Sequence, residues 1–412
     1  MLEAEMAKTM TAHRGKYGPA DGKSCTGCMA CCDACPFGAL SSGLDRNGFR
    51  IPVRDLSKCT GCGLCEKVCS VAAGYDFGTG AKGELIAAWN KDPVVRARSS
   101  SGGVFAAVAQ VILRRGGHVY GAAIEGCEVR WRMVAAEEEL PALQGSKYAH
   151  ADYTGSYRAV KADLDNGIPV LFAGLSCQVA GLRLFLGAYA DDPLLYTVDL
   201  VCTGVPSLLP MRQIERFGGP ELSVKSYRDK EHGWSSNYQL KTVEKDRGCT
   251  TRFSPFYYRF YRIFKRHNCV RCPLAYRGRK SDLTLGDCWG DTRFPGEHRD
   301  GISAVVINSE HGKELMRQAD CERHPYLWSD FLRHNPRAAD AEFAAWRERS
   351  FWKKAGLFFA GLGYRLHFSP LLQKRSSRLE WFPLRCMLKL CARNDGRAVR
   401  LARSRFVEGS DS

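Results

Sequence analysis

Two cysteine runs near the beginning of the chain constrain its fold more than any other feature. Both have the spacing C-x-x-C-x-x-C-x-x-x-C, one from Cys25 to Cys35 and the other from Cys59 to Cys69. Three cysteines separated by two residues bring their thiolates to one corner of an iron–sulfur cube, and a distant fourth cysteine completes the ligand set. Because the segment has few long apolar runs, we expect it to fold around clusters rather than around an apolar core.

The fourth cysteine of each run ligates the other cluster in two-cluster segments of this type. The sequence therefore predicts two [4Fe-4S] centres, the first held by Cys25, Cys28, Cys31 and Cys69 and the second by Cys35, Cys59, Cys62 and Cys65. Zinc is the alternative, but its structural sites take four thiolates from two C-x-x-C knuckles, not two runs of three plus one. A ninth cysteine, Cys32, is interpreted as a packed thiol rather than a ligand.

The whole chain has 412 residues, 19 cysteines and a net charge of +16. Its length and its 45% of apolar residues exclude a disordered chain. No stretch is as long and apolar as a membrane-spanning helix, and the N-terminus lacks the apolar segment of a secretory signal. We therefore expect a cytoplasmic protein, in which so many cysteines indicate metal or redox centres rather than disulfides.

The pattern changes after the cysteine runs, and the predicted fold class is α/β. Short apolar runs alternate with helical periodicity from about residue 90 to residue 330. Helices are predicted at 104–117, at 157–167 and from Ser176, and strands at 118–124, 128–135, 169–174, 194–201, 282–287 and 302–308. The β-α-β order of the region 169–201 predicts a parallel strand pair. The chain divides into a ferredoxin-type α+β domain (1–85), a larger α/β domain (86–330) and a helical, basic C-terminal extension (331–412).

Four further cysteines are expected to meet at one edge of the predicted sheet. Cys177 follows one strand and Cys202 follows the next, while Cys269 and Cys272 form a third C-x-x-C pair. Ligands of α/β proteins bind at the carboxyl edge of the sheet, and four cysteines suffice for a third [4Fe-4S] cluster. This cluster is the preferred interpretation. The alternatives are a zinc knuckle at the C-x-x-C pair, a catalytic Cys177 thiol activated by its helix N-terminus, and ordinary buried cysteines.

A serine–glycine turn, Ser99-Ser100-Ser101-Gly102-Gly103, precedes the helix predicted at 104. Its N–H groups and hydroxyls suit a phosphate, although an ordinary N-cap has the same composition. No G-x-G-x-x-G follows a strand, so a Rossmann dinucleotide site is not predicted. Because a cluster transfers one electron at a time, the large domain needs a cofactor for two-electron steps, and a flavin provides them.

The motifs taken together resemble the coenzyme F-420 hydrogenase/dehydrogenase beta-subunit family. The resemblance covers about residues 20–310 and rests on the two cysteine runs followed by SSSGGVF (99–105), GSKYAH (145–150), VLFAGLSCQVAGL (170–182), DLVCTGVPS (199–207), CVRCP (269–273) and SDLTLGDCWG (281–290). It implies a non-Rossmann α/β fold that holds FAD. It also implies electron exchange between iron–sulfur clusters, FAD and an organic substrate such as a deazaflavin or a chlorophyll derivative.

Carried onto this sequence, the resemblance implies FAD contacts and a cluster beside the flavin. The implied FAD residues are Ser100, Ser101, Gly102, Gly103, Lys147, Asp287 and Gly290, and the implied cluster ligands are Cys177, Cys202, Cys269 and Cys272. The chain departs from the family at Thr203, where histidine is common, and at Cys288, where an aromatic residue is common.

Two basic regions have more than one interpretation. Arginines and lysines alternate with aromatics over 252–267, which suits a polyanionic substrate, but a solvated face over core aromatics is preferred. Residues 331–412 carry 17 Lys and Arg against 7 Asp and Glu, and within them a packed helix at 355–368 is preferred over contact with an anionic membrane surface or a partner subunit. No nucleic-acid partner is expected, because neither region resembles a recognition motif.

The sequence therefore predicts an enzyme, an iron–sulfur and flavin-dependent oxidoreductase. Electrons from a redox partner protein or a ferredoxin reach FAD through the [4Fe-4S] clusters, for two-electron or hydride exchange with a small organic acceptor such as coenzyme F-420. No residue is assigned to acid–base catalysis, because the chemistry belongs to the flavin. The alternative is an electron-transfer subunit or adaptor that delivers electrons to a partner enzyme and has no substrate of its own.

Overall fold

The structure is a computed structural model that describes most of the chain up to residue 335. The described residues are 18–20, 24–73, 75, 83–218, 221–228, 230–231, 233–234, 240–244, 248–250, 265–270, 272–275 and 279–335. The interpretations of residues 252–264 and of the extension from residue 336 onward lie outside the described residues.

The two cysteine runs have similar backbones. A short helix follows the second cysteine of each run, α1 (Ala30–Asp33) in the first and α2 (Leu64–Lys67) in the second. Each helix begins after a residue with positive φ, Met29 at 69° and Gly63 at 74°. Between the runs, the strands β1 (Leu40–Leu44) and β2 (Arg50–Arg54) form an antiparallel hairpin. The repeat in the sequence is therefore also a repeat in conformation.

An eight-stranded mixed sheet organises the large domain. Its strands are β3 (Glu84–Asn90), β4 (His118–Glu125), β5 (Glu128–Val134), β6 (Val170–Ala173), β7 (Leu195–Leu200), β11 (Leu283–Asp287), β12 (Ser303–Ile307) and β13 (Cys321–Pro325), in the spatial order β13-β3-β12-β11-β7-β6-β4-β5. The contacts β4–β6, β6–β7 and β7–β11 are parallel, and the other contacts are antiparallel. A smaller antiparallel sheet joins β8 (Ser223–Ser226), β9 (Lys241–Glu244) and β10 (Gly248–Thr250). The predicted α/β class and the parallel strand pair are confirmed.

Helices cover both faces of the large sheet. They are α3 (Pro93–Arg98), α4 (Val104–Arg114), α5 (Ser156–Asp165), α6 (Ser176–Leu186), α7 (Leu209–Gly218), α8 (His267–Val270), α9 (Glu310–Gln318) and α10 (Trp328–His334), with 3₁₀ turns at Glu137–Ala142, Gly187–Asp191, Pro273–Ala275 and Pro295–Glu297. The apolar residues of α4 and α9 pack on one face, and those of α5 and α6 pack on the other. The parallel strands therefore end at a common edge flanked by helices.

The first cysteine run is part of the apolar core of the large domain. Met29 and Ala30 are 1% and 0% exposed, and they belong to one buried cluster with Tyr157 of α5 and Leu182 of α6. The expectation that this segment folds without an apolar core is therefore wrong for the first run. The reason is that its apolar partners come from helices more than a hundred residues later in the chain.

The limits of the three predicted domains stay a prediction. The strand β3 begins at Glu84 and already belongs to the large sheet, where it pairs with β12 and β13. Across the residues with described positions, no helix is both long enough and apolar enough to cross a membrane.

Candidate functional site

The four cysteines assigned to the first centre are neighbours. Cys25, Cys28 and Cys31 are buried, and Cys69 is half-buried. Burial raises the pKa of the Cys28 thiol to about 12, and the charges of Cys31, Cys69 and Cys25 act in the same direction. Sulfurs influence one another in this way only when they are close together. Such thiols stay protonated by themselves, whereas a metal-bound thiol is ionised, so the donor set suits an iron–sulfur cluster.

The four cysteines assigned to the second centre line one open pocket. Its walls include Cys35, Cys59, Cys62 and Cys65, and its empty volume is about 400 Å³ with the open mouth included. Cys62 is exposed to solvent. Burial raises the pKa of the Cys65 thiol to about 11; the Arg54 charge opposes this rise and the Cys31 charge adds to it. The second group of cysteines therefore lies at the surface and adjoins the first.

The four cysteines of the large domain also converge. Cys177 lies at the start of α6 just after β6, Cys202 follows β7, and α8 leads through Cys269 to Cys272. Burial raises the pKa of the Cys177 thiol well above its ordinary value, and the charges of Cys272, Cys28, Cys269 and Cys202 contribute to the rise. The arrangement fits the preferred interpretation of a third cluster. Because Cys28 belongs to the first group, the first and third groups adjoin.

Residues of helices α5 and α6 contact the first group and lie close to the third. A Cβ atom placed on Gly181 of α6 would lie 3.1 Å from the Cys28 Sγ. The Tyr157 hydroxyl of α5 donates a hydrogen bond of 2.6 Å to the Cys28 carbonyl. The charges of Cys28 and Cys177 both act on this buried tyrosine and, after burial itself, raise its pKa. Tyr157 therefore lies between the first and third groups.

No three His, Cys, Asp or Glu side chains with described positions converge tightly enough to hold a single metal ion. A four-iron cluster carries its thiolates on separate iron atoms, so its cysteines surround a larger body than one ion. The ninth cysteine of the N-terminal segment, Cys32, is buried, and its thiol donates toward the Met29 sulfur at 3.8 Å. This placement fits its interpretation as a packed thiol.

The serine–glycine turn packs tightly against the sheet. The Ser100 hydroxyl accepts a hydrogen bond of 2.6 Å from the Ser146 N–H, and the Ser101 hydroxyl donates one of 3.0 Å to the Ile302 carbonyl. Both hydroxyls are therefore engaged within the protein.

The two glycines of the turn have structural reasons to be glycines. A Cβ atom on Gly102 would lie 2.4 Å from the Ala88 carbonyl oxygen of β3. Gly103 has a φ of 84° and starts α4 without a side-chain cap. The turn thus aims the start of an eleven-residue helix, with its positive dipole end, at the carboxyl end of β3.

Two half-buried lysines flank the serine–glycine turn. The Lys147 ammonium donates to the carbonyls of Leu143 and Gln144 at 2.8 and 2.9 Å. The Lys230 ammonium donates to the carbonyls of Arg96, Ser101 and Asp300. Burial lowers the pKa of each lysine to about 7. An anion bound at the turn would offset this half-buried positive charge, so the charge of the two lysines fits the phosphates of FAD.

Asp287 and Gly290 lie at the end of β11 and have different surroundings. Asp287 accepts a hydrogen bond of 3.3 Å from the Trp234 indole and forms an ion pair with Arg228 at 3.5 Å. Gly290 has a φ of 68°, and a Cβ atom there would lie 2.4 Å from the His334 ring. Asp287 therefore belongs to a polar cluster, whereas Gly290 faces α10.

A pair of stacked tryptophans connects Asp287 to the serine–glycine turn. Trp234 and Trp289 stack at 4.6 Å with 7° between their planes, and the Arg228 guanidinium lies 4.8 Å from the Trp289 ring centre. A Cβ atom on Gly301 would lie 3.0 Å from both Ser101 and Trp234. The structure therefore brings Asp287 to within one side chain of the turn.

Sequence reasoning missed the residues that hold the cysteine loops in place. The carbonyl of Cys28 accepts from Tyr157, that of Cys35 accepts from Arg158 at 2.7 Å, and that of Cys25 accepts from Arg266 at 3.1 Å. Lys230 was missed as well. No sequence signal marks them, since each acts through a contact distant in the chain. The interpretation of the run 252–267 as a solvated face is wrong for Arg266, which is 1% exposed.

Comparison with known proteins identifies two regions of the chain. Residues 169–324 match the family of the C-terminal region of the coenzyme F420 hydrogenase/dehydrogenase beta subunit, and residues 24–73 match a 4Fe-4S dicluster domain. These matches confirm the resemblance identified from the motifs. A solved chain of the F420-reducing [NiFe] hydrogenase complex from Methanosarcina barkeri is 17% identical and has a TM-score of 0.45; the match covers 67% of this chain and 95% of that chain. No curated protein gives a significant match.

Proposed function

We propose, from these two matched domains, that the chain is an iron–sulfur flavoprotein oxidoreductase. It relays electrons through three [4Fe-4S] centres to FAD and exchanges two electrons or a hydride with an organic acceptor, with coenzyme F-420 as the leading candidate. When bound, the clusters supply one-electron transfer and FAD supplies the conversion to two-electron chemistry. A reducing cytoplasm suits such an assembly of thiolates.

The observation that carries this proposal is the continuous order of the three cysteine groups. Cys62 of the second group is exposed. The charge of Cys31 in the first group raises the pKa of Cys65 in the second, and the charge of Cys28 in the first group raises the pKa of Cys177 in the third. These influences, together with the 3.1 Å between a Cβ atom placed on Gly181 and the Cys28 Sγ, support an electron path from the surface to the carboxyl edge of the sheet. We propose that electrons pass between the second and third groups through the first group, which lies between them.

The residues around the serine–glycine turn would hold the flavin. Ser100, Ser101, Gly102 and Gly103 place the start of α4 at the edge of the sheet, and Lys147 and Lys230 supply positive charge for phosphates. Asp287 and the Trp234–Trp289 stack lie beside the turn. Their aromatic faces offer an apolar wall that excludes water from a bound ring system.

The surface around the second group suits an electron-carrying partner. Phe37 and Leu64 line its pocket and are 50% and 40% exposed, and Leu56 and Val71, close in sequence to its cysteines, are 58% and 39% exposed. Electron-transfer complexes use small and short-lived interfaces, and this patch is of that kind. We therefore propose that a redox protein or a partner subunit delivers electrons at Cys62.

The test is flavin reoxidation in the anaerobically loaded full-length protein. The protein is reduced by dithionite, desalted and mixed with a panel of small acceptors that includes coenzyme F-420, while the flavin absorbance is followed. We expect one acceptor to reoxidise the flavin. A Cys177→Ser variant that keeps its flavin should accept electrons from the N-terminal centres more slowly. A flavin that no small molecule reoxidises, but a partner protein does, would favour the adaptor alternative.

A further inference from the structure

Arg266 is the largest nearly inaccessible side chain among the described residues, with 1% exposure. Its guanidinium donates to the Cys25 carbonyl at 3.1 Å and to the Arg50 carbonyl, and it lies 3.4 Å from the His150 imidazole Nδ1. It also lies 5.4 Å from the centre of the Phe49 ring. All these partners are neutral groups, and no carboxylate of the described residues forms an ion pair with Arg266.

A buried cation with only neutral partners is costly unless a negative group lies nearby. The neighbouring carboxylate of Asp152 forms its ion pair with Arg50, at 2.7 Å, and not with Arg266. The Arg266 guanidinium instead donates to the Cys25 carbonyl at 3.1 Å, so it lies beside the proposed first centre, whose thiolates carry negative charge. The guanidinium charge therefore acts on the first group of cysteines.

Arg266 also connects the first group to the third. Its carbonyl accepts the Cys269 N–H at 3.1 Å at the start of α8, which carries a ligand of the proposed third centre. The amide of Asn268, two residues after Arg266, donates to the carbonyl of Ser24, which precedes Cys25. The segment 266–269 is thus bound on one side to the Cys25 loop and continues on the other side into the Cys269 loop.

The space for the guanidinium is set by a glycine of the first run. A Cβ atom on Gly27 would lie 2.6 Å from the Arg266 Nη2 and 2.5 Å from the His150 Cε1. The backbone of the run therefore approaches Arg266 as closely as a chain without a side chain can. The close contact between the Gly27 backbone and the Arg266 guanidinium therefore requires glycine at position 27.

We infer that Arg266 is a positioning residue of the electron relay, which raises the reduction potential of the first centre and fixes the Cys25 loop against the Cys269 loop. The inference rests on the proposed function. A cluster gains negative charge when it is reduced, so a fixed cation beside it stabilises the reduced form. The side chain acts through its charge on the centre and through its fork of hydrogen bonds on the loops.

The experiment is an EPR-monitored redox titration of the full-length, anaerobically loaded protein. The signal of the first centre is identified by its loss in a Cys28→Ser variant. We expect Arg266→Gln to lower the midpoint potential of this centre, Arg266→Lys to lower it less, and Asn268→Ala, which removes a neutral contact of the same segment, to leave it at the wild-type value. An unchanged potential in Arg266→Gln with full iron content would overturn the inference.

If Arg266→Gln loses the first centre, the inference is tested by Arg266→Lys, which keeps the positive charge. A lysine variant that retains the centre near the wild-type potential supports the inference. A lysine variant that loses the centre as completely as glutamine does, or retains it at a potential well below that of the wild type, would overturn it. If the wild-type protein gives no first-centre signal at all, the proposed function itself is refuted. This outcome differs from a failure of the inference, in which the signal is present but its potential does not depend on Arg266.

Discussion

The two cysteine runs have the same spacing and similar backbones but opposite surroundings. All four cysteines that follow the pattern in the first run are buried, at 7% or 8% exposure, whereas in the second run Cys62 is exposed and the other three are half-buried. Gly27 and Gly61, which precede the second cysteine of each run, have the same φ of 73°. Local sequence therefore determines how each run turns around a cluster, and the large domain determines what each cluster can contact.

The contacts of the first run explain this difference. Side chains of the large domain donate hydrogen bonds to the carbonyls of Cys25, Cys28 and Cys35. Asp33 in α1 accepts the Gly155 and Tyr157 N–H groups at 2.6 and 3.0 Å, and so caps the start of α5 from a distant segment. The first run is thereby part of the core, while the second run presents its pocket to solvent.

The largest expected effect follows from removing one ligand in each run. Cys28→Ser and Cys62→Ser should each lose about four of about 12 irons. Cys28→Ser should in addition lower the free energy of unfolding by about 1–3 kcal/mol more than Cys62→Ser does, because it places a hydroxyl in the core, whereas Cys62 is exposed. Iron analysis and thermal unfolding measure both effects. Equal destabilisation would show that the two runs are not distinct in this way.

A smaller effect is expected from the paired glycines. Alanine at either position is strained by about 1 kcal/mol, because the positive φ is the same. Only at Gly27 does the added Cβ meet described groups, at 2.5 to 2.6 Å, whereas no described residue lies within 4 Å at Gly61. Gly27→Ala should therefore cost about 1–3 kcal/mol more than Gly61→Ala. Denaturant unfolding of the two variants compares them directly, and equal costs would contradict the packing around Gly27.

The hydrogen bond from Tyr157 has no counterpart among the described contacts of the second run. Tyr157→Phe leaves the buried Cys28 carbonyl without this donor and should cost about 1–2 kcal/mol. The matched control is Tyr153→Phe, which removes a bond of the same 2.6 Å length to the Ala173 carbonyl. Both variants should lose similar stability in urea, but only Tyr157→Phe should lose first-centre iron faster to a chelator. Equal iron loss would argue against a specific role of Tyr157.

The smallest effect is expected at the contact between the first and third groups. Gly181→Ala places a methyl group 3.1 Å from the Cys28 Sγ and the Ala30 Cβ, so these neighbours must yield by a few tenths of an ångström. Alanine in the helix interior gains about 1 kcal/mol over glycine. The two effects nearly cancel, and the unfolding free energy should change by less than about 1 kcal/mol. A loss above about 3 kcal/mol would show overpacking at a rigid contact.

Sequence predicted the parts of the molecule that depend on local pattern. The spacing of the cysteines and the alternation of apolar residues identified the runs, the strands β6, β7, β11 and β12, and the meeting of Cys177 with Cys202 at one sheet edge. These signals extend over only a few residues, so they can be recognised in one chain.

The contacts that place the first run could not be predicted in this way. The bond from Tyr157 to Cys28 joins residues 129 apart, and the bond from Arg266 to Cys25 joins residues 241 apart. Arg266 also lies in a run whose composition is typical of a solvated face. Its burial is decided by the packing of the two domains, and hydrophobic patterning contains no information about it.

The central claim is that one chain holds three four-iron centres, of which Cys177 ligates the third. Its most direct test is iron and acid-labile sulfide analysis of the anaerobically purified protein and its Cys177→Ser variant. We expect about 12 irons per chain, falling to about eight in the variant. About eight irons in the original protein, unchanged by Cys177→Ser, would contradict the claim.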